Sequence, residues 1–132
     1  WHMGKGRANE FTFIDDPYNG FSHQHASYEL DNGNILLLDN GLDHTQKLSR
    51  VLEYKVDEIA KTATLVFSKE FPTYQAYVAG NAFRQDNGNT IAAFGSQGYV
   101  EEFDDQGWPV LSYRQGGLIY QAMKSKLPWR NK

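Results

Sequence analysis

Asp31-Asn32-Gly33-Asn34 precedes the apolar run Ile35-Leu36-Leu37-Leu38, and Asp86-Asn87-Gly88-Asn89 precedes Thr90-Ile91-Ala92-Ala93-Phe94. The two motifs lie fifty-five residues apart. Each sits between extended-looking segments, with His25 to Leu30 before the first and Asn81 to Gln85 before the second. Asn-Gly tolerates positive φ at both central positions of a tight turn, so the pattern predicts two hairpins with type I′ turns. The segments beyond the hairpins match too. Val51-Leu52-Glu53-Tyr54-Lys55-Val56-Asp57 parallels Val100-Glu101-Glu102-Phe103-Asp104, a strand running into an Asp-initiated turn. Thr62-Ala63-Thr64-Leu65-Val66-Phe67 and Trp108-Pro109-Val110-Leu111-Ser112-Tyr113 then supply a further strand each.

Each unit reads as four short antiparallel strands. Four-stranded units recurring roughly every 40 to 55 residues are the mark of β-propeller blades. The expected organisation is an N-terminal extension (1–20), a blade (21–75), a second blade (76–115), and a closing strand with a tail (116–132). Leu118 to Lys124 is the expected closing strand, and Pro128 with Lys124, Lys126, Arg130 and Lys132 reads as a solvated end. Propellers close with about four to eight blades, so two make an incomplete propeller. A small self-contained β-sandwich is the alternative. Ile35, Leu37, Val51 and Leu65 are expected to be buried in the first sheet. Open strands at the missing-blade edges favour association, either as a homo-oligomer or with a chain supplying the other blades.

Composition agrees with an all-β fold. Of 132 residues, 40% are apolar, 22% charged and 14% aromatic, a globular composition rich in strand formers. A net charge of −3 lacks the basic stripe of a dedicated nucleic-acid binder, so no nucleic-acid partner is expected. The absence of cysteine excludes disulfides, Cys-ligated zinc and a thiol nucleophile within this sequence. No apolar stretch approaches the roughly 20 residues of a membrane span. Trp1-His2-Met3-Gly4-Lys5-Gly6-Arg7 lacks the apolar centre of a signal peptide and reads as the cut edge of a larger protein or a cloning remnant.

Phe21-Ser22-His23-Gln24-His25-Ala26-Ser27 is the stretch richest in chemistry. Two histidines at i and i+2 on a strand face one side, where they could bind a metal or act on one substrate. His44, with Asp43, lies in the loop beyond the hairpin, so a His-His-Asp metal site is conceivable; nothing fixes that loop, and no metal site is assigned. The plainer alternative is a set of polar residues at a strand start, facing solvent. Arg50 could hold an oxyanion through its planar fork, or merely pair with Glu53 or a loop carbonyl. A Walker-type glycine loop, an H-E-x-x-H zinc motif and a G-x-S-x-G elbow are all missing. Glu101-Glu102 and Asp104-Asp105 are adjacent, and on a strand they point to opposite faces. Local chemistry singles out His25.

Gln24-His25-Ala26, Leu37-Leu38-Asp39-Asn40-Gly41, Ser49-Arg50-Val51-Leu52-Glu53-Tyr54-Lys55-Val56-Asp57 and Thr64-Leu65-Val66-Phe67, in this order, resemble the C-terminal part of the bacterial aryl-sulfate sulfotransferases. Tyr120-Gln121-Ala122-Met123 resembles the last strand of that family, and the likeness runs from about Phe21 to Lys124. The resemblance implies a six-bladed propeller, a periplasmic or secreted location, and transfer of a sulfuryl group from a phenolic sulfate ester to a phenol. It implies no cofactor. It places the transiently sulfated histidine on His25 and substrate contacts on Asn40, Arg50 and Tyr120, with ping-pong kinetics; His23, on the same strand face as His25, is expected to orient the substrate. Relatives carry a hydroxyl residue near Tyr77-Val78-Ala79-Gly80, where this chain has Ala79 and Gly80, and they recruit further His, Asn and Arg residues from earlier blades. The rival expectation is a non-catalytic propeller segment that serves as a binding or assembly module.

Overall fold

The Asn-Gly pairs do form two hairpins, but with a different turn from the one predicted. In the computed structural model, which describes residues 1–124, Gly33 and Gly88 have φ of 81° and 88°, whereas neither Asn32 nor Asn87 has a positive φ. Gly33 N–H donates to Leu30 O, and Leu30 N–H to Asn34 O, both at 2.8 Å. Gly88 N–H to Gln85 O and Gln85 N–H to Asn89 O repeat the pattern at 2.9 and 2.8 Å. This is a type I turn closed by a left-handed glycine, the usual three-residue hairpin loop. The asparagines work through their side chains instead. Asn32 and Asn87 Oδ1 accept the N–H of Asn34 and Asn89 at 3.0 and 3.1 Å. Asn34 and Asn89 in turn donate their amides to Glu53 and Glu102 at 2.7 and 2.8 Å, so the motif ties each hairpin to the strand beyond it.

The described residues form nine strands in chain order: β1 (Thr12–Ile14), β2 (His25–Glu29), β3 (Ile35–Asp39), β4 (Ser49–Asp57), β5 (Thr62–Phe71), β6 (Asn81–Arg84), β7 (Thr90–Phe94), β8 (Tyr99–Phe103) and β9 (Pro109–Arg114). They make a five-stranded sheet, β1-β5-β4-β3-β2, and a four-stranded sheet, β6-β7-β8-β9. All of these pairings are antiparallel except β1 on β5. A 3-10 turn, Gly95–Gln97, joins β7 to β8. The protein is therefore all-β, with two sheets that do not close on themselves, as incomplete propeller blades should.

Alternation along β3 assigns the two faces of the first sheet. Leu36 and Leu38 face the second sheet and pack with Val51, Phe71, Ala82, Ala92, Phe94 and Phe103. Small residues, Ala82 and Ala92, sit on β6 and β7, while Phe94, Tyr99 and Phe103 fill the space towards the outer strands. Each fully buried Leu contributes about 1.5–3 kcal/mol relative to exposure. Leu37 and Val51 are fully buried as expected, while Ile35 and Leu65 are half-buried.

The other face of the first sheet carries Leu37, Leu52 and Tyr54, and the N-terminal residues cover it. Phe11 and Phe21 are buried there, with Phe13 packed alongside. Residues 1–20 are thus joined to the first sheet, through β1 and through these rings, and give it a fifth strand that alternation within three residues could not announce.

Leu118–Lys124, the expected closing strand, belongs to neither sheet. Ile119 N–H donates to Gly95 O at 3.0 Å and Gly80 N–H to Tyr120 O at 3.2 Å. Asn81 then pairs its side-chain amide with the Ala122 backbone in both directions, at 3.0 and 2.8 Å. Lys124 Nζ lies 3.1 Å from Glu102, whose carboxyl is held below its ordinary range first by the Asn89 hydrogen bond and also by Lys124. The expected solvated end at Lys126, Pro128, Arg130 and Lys132 lies outside the described residues. Among the described residues no helix is long and apolar enough to cross a membrane.

Candidate active site

His25 opens β2, opposite Leu38, at a place where the backbone is bent twice. His23 and Ala26 both have left-handed backbones, with φ of 54° and 49°, and a register shift separates His25 from Tyr28. Non-glycine residues held in that region cost on the order of 1–3 kcal/mol each and gather at functional sites. A third such residue touches the imidazole: Ala79, with φ of 59°, donates its N–H to His25 Nε2 at 3.2 Å.

The opposite ring nitrogen is held from the sheet. His25 Nδ1 lies 2.8 Å from Asn40 Oδ1 and 3.2 Å from the carbonyl of His23. Asn40 is fully buried, and its amide nitrogen donates to Ala76 O and Ala79 O at 2.8 and 3.3 Å. His25, Asn40 and the connection between the two sheets thus form one hydrogen-bonded ring. Ser49 Oγ supports it by accepting the Ala76 N–H at 2.9 Å.

Asp39 fixes the chain on both sides of this pair. Its Oδ1 accepts the N–H of Ser22 at 3.0 Å and of Gly41 at 2.9 Å, tying the turn before His25 to the turn after Asn40. Its Oδ2 meets Arg50 Nη2 at 2.7 Å, Arg50 Nε at 3.0 Å and His44 Nε2 at 2.8 Å. The Asp39 carboxylate only accepts, so His44 Nε2 carries the proton of that 2.8 Å contact, with Lys5 Nζ 3.4 Å from Nδ1 and Arg50 Nη2 3.4 Å from Nε2.

Arg50 is fully buried. Beyond Asp39 it donates to Asp16 Oδ1 at 3.0 Å and to Gly20 O at 3.2 Å, and its guanidinium stacks on Tyr18, 4.2 Å from the ring centre. Burial alone would raise the Asp16 carboxyl, but hydrogen bonds from Tyr54, Tyr18 N–H and Arg50 outweigh it and hold the carboxyl below its ordinary range. Burial and the bond donated to Asp16 push Tyr54 well above the usual phenol value. Burial works to lower Arg50, yet Asp39 and Asp16 raise it on balance, so the guanidinium stays charged.

The expected site residues therefore separate. His25 and Asn40 are in contact. Tyr120 reaches the same end of the molecule through its backbone, since its carbonyl is bonded to Gly80, next to Ala79, while its side chain is exposed. His23 does not share a strand face with His25: it precedes β2, and its ring turns out to Asp43 at 3.4 Å. A cavity of about 450 Å³ borders Lys5, Ser22, His23, Gln24 and Asp43, but not His25. Arg50 lies on the other face of the first sheet, with Leu52 and Tyr54, and its N–H groups are engaged by Asp39, Asp16 and Gly20. The structure does not bring it to His25. Nor, among the described residues, are the histidines gathered for a metal, because His44 belongs to the Asp39 network.

In the second unit the equivalents of His25 and Asn40, fifty-five residues on, are Gly80 and Gly95. A Cβ on Gly80 would lie 2.3 Å from Ala93 O, and one on Gly95 would lie 2.3 Å from Val78 O, so neither position can carry a side chain. The histidine–asparagine pair belongs to the first unit alone.

A model of the arylsulfotransferase (ASST) family matches residues 14–115. The chain belongs to the arylsulfotransferase family. No curated protein matches it. The family match spans both sheets and every residue of the His25–Asn40 ring, and it begins within β1, before the first hairpin.

Proposed function

We propose that this arylsulfotransferase chain carries the nucleophile for sulfuryl transfer from a phenolic sulfate ester to a phenol, and that the nucleophile is His25. Nε2 of His25 attacks sulfur, the S–O bond to the aryl group breaks, and the phenolate leaves. The second phenol then gives up its proton to solvent and attacks the sulfur of the sulfo-histidine, the S–N bond breaks, and the neutral imidazole is restored. One difficult displacement becomes two easier ones. The observation that carries this reading is the pair of contacts on the ring: an acceptor on Nδ1 and a donor on Nε2, which leave the nucleophilic lone pair on Nε2. When Nε2 bonds to sulfur, the Ala79 N–H is released beside a sulfuryl oxygen and can stabilise its charge.

More donors are needed than the described residues offer near His25, because Arg50 is committed elsewhere. Further blades, or a second copy, complete the funnel on this account. The edge strand β9, every residue of which is exposed, supports such assembly. Aryl-group contact is left to exposed rings near the Ala79 connection, Tyr120 among them, and periplasmic or secreted residence is part of the proposal.

Pre-steady-state release of nitrophenol from 4-nitrophenyl sulfate tests it. A burst is expected in the complete propeller, none in its His25→Ala variant, and little or none in the isolated chain. A burst that survives in His25→Ala removes His25 from the nucleophile's role.

A further inference from the structure

We propose that Asn40 acts through His25 rather than on substrate: it is a positioning residue that fixes the Nδ1–H tautomer and so selects Nε2 as the reacting nitrogen. The catalytic meaning rests on the reading of His25 as nucleophile, whereas the tautomer does not.

An amide side chain has one accepting and one donating end, and a half-turn exchanges them. For Asn40 the backbone makes the choice. Ala76 O and Ala79 O lie 2.8 and 3.3 Å from one end of the amide, and carbonyls only accept, so that end is Nδ2. The end facing His25 Nδ1 at 2.8 Å is then Oδ1, which requires the proton on Nδ1. His23 O, 3.2 Å from the same nitrogen, is a second acceptor and makes the same demand. The Ala79 N–H directed at Nε2 requires a lone pair there. Four of the groups in this set are backbone and admit one sense only, and all agree.

Both ends of the amide are used within the protein, and Asn40 is fully buried, so no part of it is left for a ligand. Isolated neutral histidine favours the Nε2–H form, whose lone pair would here point into the sheet at Asn40. Without Asn40 only the longer contacts to His23 O and the Ala79 N–H would oppose that unreactive form. The bond also strengthens as the step proceeds, because the ring becomes cationic once Nε2 is joined to sulfur. A neutral amide supports that charge without trapping it as a carboxylate would, so the sulfuryl group can still leave.

The experiment is 15N NMR of the imidazole rings in the whole protein, without substrate and with His25 neutral, its signals assigned by their loss in His25→Gln. The expected result is a protonated Nδ1 and an unprotonated Nε2. Asn40→Ala should move the ring towards Nε2–H and slow the first sulfuryl transfer at least about tenfold with little change in KM. Asn40→Asp, which keeps the acceptor, should keep the Nδ1–H form. A wild-type ring in the Nε2–H form overturns the proposal, and so does an Asn40→Ala protein with an unchanged tautomer. If Asn40→Ala does not fold, the wild-type spectrum still decides. An Nδ1–H ring in a protein that never becomes sulfated on His25 supports the tautomer assignment and refutes the nucleophile.

Discussion

Arg50 Nη2 sits 2.7 Å from Asp39 Oδ2, with both side chains wholly out of solvent and beneath the backbone that presents His25. A buried pair of this kind is a weak source of net stability, but breaking it is costly, because the surviving charge has no water to turn to. Asp16 on the same guanidinium doubles the exposure to that cost.

Arg50→Met should therefore destabilise the fold by about 3–5 kcal/mol, read as a fall in the urea midpoint. Arg50→Lys should recover little, since a point charge cannot serve Asp39 through two nitrogens, Asp16 and Gly20 O together. Adding Asp39→Asn and Asp16→Asn to Arg50→Met should restore part of the loss. A single Arg50→Met protein as stable as the parent would show that the network is not needed for folding.

Asp16 gives the fold an acid-sensitive element. Its carboxyl is held below the ordinary value in the folded protein, so the unfolded chain binds the proton more readily. The contribution is present in full above the ordinary aspartate pKa of about 3.9 and is lost as pH falls through the lower folded value. Thermal midpoints measured from neutral pH down to about pH 3 should decline across that window, and less steeply in Asp16→Asn. An acid limb of equal slope in the variant would assign the sensitivity to other carboxylates.

How far the sequence announced these features depended on whether they were local. The paired Asp-Asn-Gly-Asn motifs gave two hairpins, and the apolar runs behind them gave the central strands, because turn chemistry and period-two alternation are written into neighbouring residues. The turn type differs from the expected one because Asn-Gly serves two hairpin loops, and only φ at the asparagine separates them. His25 and Asn40 were legible as polar residues at the ends of β2 and β3, though their contact was not. The Asp16–Arg50 bond joins residues thirty-four apart, through a segment whose β1 is three residues long, and no spacing rule reaches that far. A straight strand would set His23 beside His25, and the positive φ values of His23 and Ala26 bend the chain away from that course. The burial of His44 had no local signal at all.

Two glycines separate conformational strain from steric clash. Gly88 has φ of 88° with nothing within 4 Å of an added Cβ, whereas at Gly80, with φ of 108°, the Cβ would lie 2.3 Å from Ala93 O and 2.6 Å from Leu38 Cδ2. Gly88→Ala should cost about 1–2 kcal/mol, the strain of a left-handed alanine. Gly80→Ala should cost more, because backbone must move, and it should also loosen Ala79 from His25. Equal midpoints in urea for the two variants would mean that the close approach of the sheets at Gly80 is not constrained.

The nucleophile itself is tested most directly by trapping it. The full-length protein, with its complete funnel, is mixed with 4-nitrophenyl sulfate without acceptor, quenched while nitrophenol is being released, digested, and mapped by mass spectrometry under conditions that preserve S–N bonds. One sulfo group on the peptide containing His25, absent from His25→Ala and discharged when a phenol is added before quenching, is the predicted result. A sulfo group on another residue, or none on His25 during continuing release, would contradict it.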